Sequence, residues 1–574
     1  MGSKGARIAL WGGVECTVNR VGDAYRDQIQ MSGHDVRPDD LDRFAQLGIK
    51  ALRYPVLWER TSPGGTPDWT WSDDRLHRLR GLGIAPIVGL VHHGSGPRYT
   101  HLLDERFASG LGRFAGEVAA RYPWVEAWTP VNEPLTTARF AALYGHWHPH
   151  VADERAFWLA LLNQVDATRA AMKAIRRANP AAKLVQTDDL GRTYATEELA
   201  DQAAHDNLRR WASWDLLFGR VDRSHPLSDR LRRFGFADRL RVIADDPCPS
   251  DVIGLNHYLT SDRYLDHRLD RYPDHLHGGN GHARYADTEA LRALPEQPAG
   301  LAGALREAWT RYRTPIALTE VHNGCTREEQ LRWAAQAWDT ARLAEADGIA
   351  VVVVTAWSLL GSHGWDTLLT AEGRYEPGVF DVASGTPRET ALATLWRGLP
   401  EGAARHPVAL EPGWWQRRER LLYADPASST APDPAPPSGR PLMVCGPDSE
   451  LRQAVLHICA ARSIDHVAAA DGWRAWLRAR TARRPPSRAI VPWAVLCTHA
   501  NARACHCSLS AIRAPRTVRR SGTPAAACPM EAVPFLRLPD EAAASMPSSA
   551  CIHAALDRLI DETSPGHGCP PVAG

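Results

Sequence analysis

Two glutamates sit where their surroundings suit chemistry. One lies in Trp128-Thr-Pro-Val-Asn-Glu-Pro134 and the other in Ile316-Ala-Leu-Thr-Glu-Val-His-Asn-Gly324, and each follows a short apolar run. A carboxylic acid that donates a proton, set opposite a carboxylate that attacks, is the pair that glycosidic cleavage uses, because its transition state resembles an oxocarbenium ion. A single glutamate at a strand end is more often an ion-pair or loop-fixing residue. Finding Glu133 and Glu320 at two strand ends, one of them inside Asn-Glu-Pro, shifts the weight to catalysis.

Bringing both to one place requires a scaffold of repeated strands. From residue 7 to about residue 400, β-branched or apolar runs alternate with longer amphipathic stretches, the pattern of parallel strands joined by crossover helices. Strands are expected at 7–12, 50–54, 85–91, 125–131, 183–187, 251–256, 315–319 and 349–357. Eight of them fit an α/β fold of the (β/α)8 TIM-barrel type, in which polar residues at the C-terminal strand ends face the active site. Helices are expected at 104–121, at 153–178 before Asn179-Pro180 stops the run, and at 327–347 behind a cap at Thr326.

Bulk composition narrows the classes further. Lys+Arg 67 against Asp+Glu 66, a formal net charge of +1 and 44% hydrophobic residues in 574 exclude a disordered or fibrous chain. They also argue against a dedicated nucleic-acid binder or a polybasic membrane protein. Residues 1–14 carry no sustained apolar core or small-residue cleavage site, and the longest apolar run, 349–360, is shorter than the roughly 18 residues of a membrane span. Of the 11 cysteines, Cys16, Cys248 and Cys325 alone precede residue 430, so no disulfide framework organises that part. A cytoplasmic location is expected, with no membrane and no nucleic-acid partner.

Thr129-Pro-Val-Asn-Glu-Pro134 resembles the TFNEP motif of glycoside hydrolase family 1, and Thr319-Glu320 with Asn323-Gly324 resembles its TENG motif. In matching order, Leu52-Arg-Tyr-Pro-Val-Leu-Trp-Glu-Arg60 resembles the RFSxxWxR segment and Leu90-Val-His92 the LYH segment. Gly254-Leu-Asn-His-Tyr258 resembles GINYY, and Ala356-Trp-Ser-Leu-Leu360 resembles VWSLLDN. The resemblance spans about residues 7–400. It implies a retaining β-glycosidase acting on a β-glycoside carbohydrate, without cofactor or metal, with Glu133 as general acid/base and Glu320 as nucleophile. It implies further that Arg53 sits beside Glu320 and lowers its pKa, and that Tyr258 donates a hydrogen bond to the same carboxylate. Glu133 is expected to keep its proton in a drier place, next to the charge of Glu320. Asn132 and His92 are expected to bond sugar hydroxyls and Trp357 to lie under the ring. Trp365, and Asn19 where the family has a sugar-binding Gln, complete the expected substrate contacts.

The sequence also departs from that family. Val321-His322 separates Glu320 from Asn323 where the family reads Glu-Asn-Gly directly, so the loop after the nucleophile is expected to be rebuilt. His363-Gly-Trp365 replaces the family's FEW segment, which removes the Glu that holds the far hydroxyls of gluco- and galacto-configured sugars. An altered glycone preference is expected. His93, Arg98, Asp188, Asp189, His322, His363 and Asp366 are candidates for a different pocket.

Beyond a first domain at 1–423, residues 424–441 form a Pro/Ala/Ser-rich linker, and 442–574 differ in kind. The opening Arg440-Pro-Leu-Met-Val-Cys-Gly-Pro-Asp-Ser-Glu-Leu-Arg452 is similar to sugar-nucleotide reductases of the dTDP-4-dehydrorhamnose reductase type, a Rossmann fold. Of three spaced fingerprint glycines, Gly446 remains, with Ser449 and Arg452 at the other two places. The Tyr-x-x-x-Lys pair of that family is missing, since no Tyr follows Tyr423 and no Lys follows Lys183. The region reads as a degenerate or truncated Rossmann-like domain. Residues 472–530 hold 11 arginines and no Asp or Glu. A basic nucleic-acid arm, a metal site through His499, Cys505, His506 and Cys507, and out-of-frame translation of a GC-rich reductase gene compete for this stretch, and the third is favoured. NAD(P)H-dependent sugar-nucleotide reduction and a non-catalytic glycan-binding barrel stand as alternative functions.

Overall fold

The computed structural model describes residues 8–423 and, beyond them, 441–445, 450–461, 464–469, 495–497, 535–537, 556 and 559. The chain forms two compact units, Met1–Gln416 and Arg417–Gly574.

The first unit is a closed barrel of eight parallel strands: β1 (Ala9–Gly13), β2 (Ala51–Pro55), β3 (Ala85–His92), β4 (Ala127–Asn132), β5 (Lys183–Asp189), β6 (Val252–Asn256), β7 (Ile316–Val321) and β8 (Val351–Ala356). They follow one another around the barrel in sequence order, and β1 closes it by pairing with both β2 and β8. All eight expected strands are present, with ends within two residues of the expected ones. Runs such as Val-Val-Val-Val-Thr-Ala in β8 suit strands that are covered on both faces. Ala51, Ile87 and Val185, packed with Trp11, Ala127 and Val252, form an apolar cluster drawn from the first three residues of six strands. That cluster fills the N-terminal end of the barrel and leaves its C-terminal mouth for a site.

Four helices position or brace that mouth: α1 (Phe107–Arg121), α2 (Pro134–Ala138), α3 (Glu154–Ala178) and α4 (Arg327–Ala346). α1 begins three residues later than the spacing suggests, because the Asp104 carboxylate folds back to accept the backbone N–H of Arg106 at 2.9 Å and makes a turn instead. Asp153 caps α3, accepting the Ala156 N–H at 2.8 Å. Thr326 occupies the corresponding position before α4, but its side chain makes no capping bond, contrary to the sequence expectation. The barrel unit ends with Trp415 buried and its indole N–H donating to Gln336 at 2.7 Å, which places the division before residues 424–441.

The second unit contains four parallel strands, β9 (Leu442–Cys445), β10 (His466–Ala469), β11 (Val495–Cys497) and β12 (Phe535–Arg537), in the order β10-β9-β11-β12. α5 (Glu450–Ala461) connects β9 to β10, and Leu442, Val444, Val455, Cys459 and Leu496 form a core of their own. Gly446, Ser449, residues 424–440, His499, Cys505, His506, Cys507 and, apart from β11, the Arg-rich stretch 472–530 lie outside the described residues. Among the described residues no group of three or more His, Cys, Asp or Glu is placed to hold a metal ion, and no helix is long and apolar enough to cross a membrane. Cys16, Cys248 and Cys325 are free thiols.

α1 and α3 approach so closely that a Cβ on Gly112 would lie 2.9 Å from that of Ala170. Overpacking of this kind costs about 1–3 kcal/mol. Gly112→Val is therefore expected to lower the thermal unfolding midpoint by a few degrees, and a midpoint that stays put or rises would show that the two helices can part freely.

Candidate active site

A cavity of about 800 Å³ opens at the C-terminal ends of the barrel strands, and Glu133, Tyr258, Glu320, Trp357 and Trp365 all line it. The strands deliver these groups. Glu133 directly follows β4, Glu320 is the last residue but one of β7, and Arg53 lies in the middle of β2.

Glu320 is held from two sides. Arg53 Nη1 donates to its Oε1 at 2.8 Å and to the Thr319 carbonyl at 2.9 Å, while the Tyr258 hydroxyl donates to its Oε2. Burial nevertheless pushes Glu320 up to about 7, and the nearby Glu15 adds to the rise. The expected lowering by Arg53 operates as an opposing pull and does not set the net direction, because loss of water from a buried carboxylate outweighs what one cation and one hydroxyl return.

Burial first, then the charges of Glu320, Asp189 and Asp188, push Glu133 well above the usual carboxylate range. Of the two glutamates Glu320 therefore ionises first. Glu133 accepts the Asn256 amide at 2.6 Å, and Asn256 is oriented by the Thr319 hydroxyl at 2.6 Å. The Glu133 backbone is left-handed, with φ 46° and ψ 61°. His93 after β3 (φ 55°) and Ser358 after β8 (φ 56°) share this conformation. Each costs about 1–3 kcal/mol for a residue with a Cβ, and three of them at one rim mark a place where geometry outranks local comfort.

The structure moves several expected contacts. Asn132 has both amide donors engaged, at 3.2 Å from His92 Nε2 and 3.3 Å from His93 Nε2, while its oxygen accepts from Arg53 at 2.6 Å and Thr187 at 2.7 Å. It anchors the cation, with its amide nitrogen set against the two imidazoles. His92 stacks 5.6 Å from Trp357, and His93 lines the cavity in its stead. Burial and Arg53 hold His93 down to about 3, so its imidazole is neutral. Trp357 lines the cavity but carries Arg53 over its ring at 4.5 Å, and it fits only because residue 13 is Gly, where a Cβ would lie 2.4 Å from the indole. Asn19 is fully buried and donates to the Leu369 carbonyl at 3.3 Å, so it fastens a loop and does not line the cavity. Trp128 belongs to the core.

Of the further candidates, His93, Asp189, His322 and Asp366 line the cavity. Asp188 is occupied by the Ser213 hydroxyl and the Leu135 N–H, Arg98 donates to the Asp23 carbonyl, and the His363 backbone is clamped twice by the Gln28 amide. Val321 continues β7, and His322 turns to Glu376 at 3.3 Å.

Sequence reasoning passed over Glu15. It stands two residues past β1, lines the cavity, and accepts the Thr17 N–H at 2.9 Å and the Trp365 indole N–H at 3.3 Å. Burial raises its pKa. The signal was the same as for the other two, an acidic side chain just beyond an apolar strand.

One buried acid that keeps its proton, facing a second held by a cation and a hydroxyl, suits protonation of a leaving oxygen together with attack at carbon. The chain is similar to "Beta-glucosidase 4" of Oryza sativa subsp. japonica, at 24% identity over 443 residues, covering 69% of this chain and 89% of that one. It is also similar to a "6-phospho-beta-glucosidase" of Dickeya chrysanthemi, at 23% identity over 381 residues, covering 60% and 79%. Among solved structures, a beta-glucosidase from Thermotoga maritima in complex with cyclophellitol superposes with a TM-score of 0.55 at 16% identity, covering 71% of this chain and 99% of that one, which speaks for the fold. Residues 4–366, well over half of the chain, match the model of glycosyl hydrolase family 1, and the chain therefore belongs to that family and is a glycoside hydrolase.

Proposed function

We propose that this protein hydrolyses β-glycosides with retention, Glu320 acting as nucleophile and Glu133 as acid/base. Glu320 attacks the anomeric carbon as the bond to the leaving oxygen breaks, and Glu133 gives that oxygen its proton. With Glu133 Oε1 accepting from Asn256, Oε2 is the oxygen free to carry the proton. Water then displaces Glu320 from the anomeric carbon, surrendering a proton to Glu133. The observation that carries this reading is the unequal environment of the pair: Arg53 and Tyr258 on Glu320, but an amide and a neutral His93 at 4.0 Å beside Glu133. Glu320→Ala is expected to lower kcat by at least about a thousandfold, with azide restoring turnover by replacing the carboxylate. Full activity in that variant would end the assignment, whereas sugar binding by the wild type without release of an aryl aglycone would favour a barrel that only binds glycans.

The pH dependence rests on the two directions. Below its pKa of about 7 Glu320 is protonated and cannot attack, so kcat/KM falls as pH drops through 7. Glu133 loses its proton only well above the usual carboxylate range, so the alkaline limb belongs to Glu133. An acidic limb near 4 to 5 would mean that Arg53 overcomes burial after all.

Glu15 is read as the acceptor that replaces the missing glycone Glu, reaching the same region from β1 and sharing Trp365. Glu15→Gln removes one negative charge that raises Glu320. The acidic limb is expected to move to lower pH and KM for aryl β-glycosides to rise. An acidic limb displaced upward, or a KM unaffected across gluco- and galacto-configured substrates, would sink the role.

The second unit is read as a reductase remnant. Its four parallel strands and the connecting α5 support a nucleotide-binding type of topology, while the absence of any Tyr after Tyr423 or Lys after Lys183 removes that family's proton-delivering pair.

A further inference from the structure

Five arginines line the cavity, and four are committed to acids. Arg209 pairs with Asp206 at 2.7 Å, Arg263 with Asp287 at 2.8 Å, Arg292 with Glu289 at 3.2 Å, and Arg210 with Glu307. Arg139 is the exception. Among the described residues it makes no ion pair and no side-chain hydrogen bond, and its Nε is buried without a partner. Its guanidinium rests only near the rings of Phe140 and Tyr144, at 5.9 and 6.0 Å. Asp189, Asp206 and Asp287 act on it from a distance, but Asp189 is bonded to Ser261 at 2.5 Å and the other two to their own arginines.

The position of Arg139 says which part of a substrate would meet it. It opens the helical turn Arg139–Leu143 that directly follows α2, itself starting beside Glu133. An acid that protonates the leaving oxygen stands on the leaving-group side of the scissile bond. The loops after β4, β5 and β6 form that wall through Arg139, Thr193 and Arg263, whereas Glu15, Ser362 and Trp365, from the loops after β1 and β8, face the sugar from the other side.

Resting on the glycosidase reading for which side is which, we propose that Arg139 is an aglycone-binding residue that takes a carboxylate carried by the leaving group. A half-buried cation whose Nε is shut away from water without a partner is costly unless a ligand completes it. Its planar fork matches a carboxylate bidentately. The three acids nearby favour a singly charged group over a doubly charged phosphate, because repulsion grows with the ligand's charge.

The test uses the full chain, as wild type, Arg139→Gln and Arg139→Lys. Binding of free 4-hydroxybenzoate is measured by calorimetry, with its methyl ester and phenyl phosphate as controls. The β-glucosides of the acid and the ester are compared for KM. Expected are binding of the carboxylate weakened by about tenfold in Arg139→Gln and less in Arg139→Lys, the least that losing a charge-assisted pair delivers, and an acid-over-ester preference that collapses in the same order. Equal affinity for acid and ester in the wild type, equal affinity of all three proteins for the acid, no binding at millimolar concentration, or tighter binding of phenyl phosphate would each overturn the proposal. Arg139-dependent binding with neither glucoside hydrolysed would uphold the anion site and count against the glycosidase reading alone.

Discussion

Arg53 reaches from β2 and, with one guanidinium, joins three barrel strands: it donates to Glu320 and the Thr319 carbonyl of β7 and to Asn132 of β4. Everything else at the mouth is arranged around that cation. Trp357 packs under it, His92 stacks on Trp357, and Gly13 is bare so that the indole can sit there. Asn132 in turn spends its whole hydrogen-bonding capacity on Arg53, Thr187 and two imidazoles, which fixes the end of β4 and so the start of Glu133. Removing one partner of such a buried pair typically costs about 3–5 kcal/mol, because the other charge is left stranded. The Glu320 carboxylate and the barrel's closure at this end are thus stabilised by the same contact.

Among the carboxyl groups that line this mouth, Glu15, Glu133 and Glu320 are each raised by burial. Their separation in proton affinity comes from neighbours. Glu320 has a cation and a hydroxyl, Glu15 a backbone amide and an indole, and Glu133 one side-chain amide with two aspartates behind it. A second carboxylate nearby makes it harder for the first to ionise, so Glu133 keeps its proton partly because Glu320 loses one more readily. The left-handed backbone at Glu133 is stabilised from outside, with its N–H donating to the Thr187 carbonyl of β5 at 3.2 Å and its own carbonyl capturing the Thr137 N–H at 2.9 Å.

The barrel was legible because period and placement agree. Apolar runs recurred at each of eight places, and the two catalytic candidates stood at the ends of two of them. What stayed hidden depends on distances between loops. Nothing in the local sequence around Asn19 separates a residue that touches sugar from one that fastens Leu369, since both uses need a buried amide at that end of the barrel. His92 and His93 are adjacent, and it is the left-handed turn at His93 that sends one ring to Trp357 and the other to the cavity. The net effect on Glu320 was equally out of reach, because it compares a pairing energy with a desolvation that only the closed structure defines. Glu15 follows the same rule as its two companions, an acidic side chain at the end of an apolar strand, and only its contact with Trp365 in the folded barrel sets it apart from an ordinary loop acid.

The two walls of the cavity are held by different physics. On the side of the loops after β1 and β8, side-chain N–H groups and backbone carbonyls do the fastening: Trp147 and Asn19 donate to consecutive carbonyls of Leu368 and Leu369, both left-handed, and so pin the segment behind Trp365. On the side of the loops after β4, β5 and β6, ion pairs do it. Arg263 and Asp287 bridge neighbouring antiparallel strands, Arg263–Asp266 and Arg284–Glu289, and Arg210 ties Glu307 to the Gly191 carbonyl. Ion pairs at a partly open surface weaken as salt screens them, while buried indole contacts do not. Within that second wall every paired arginine is already spent on structure, which leaves Arg139, among the described residues, as the cavity-lining arginine whose charge is available to something that enters.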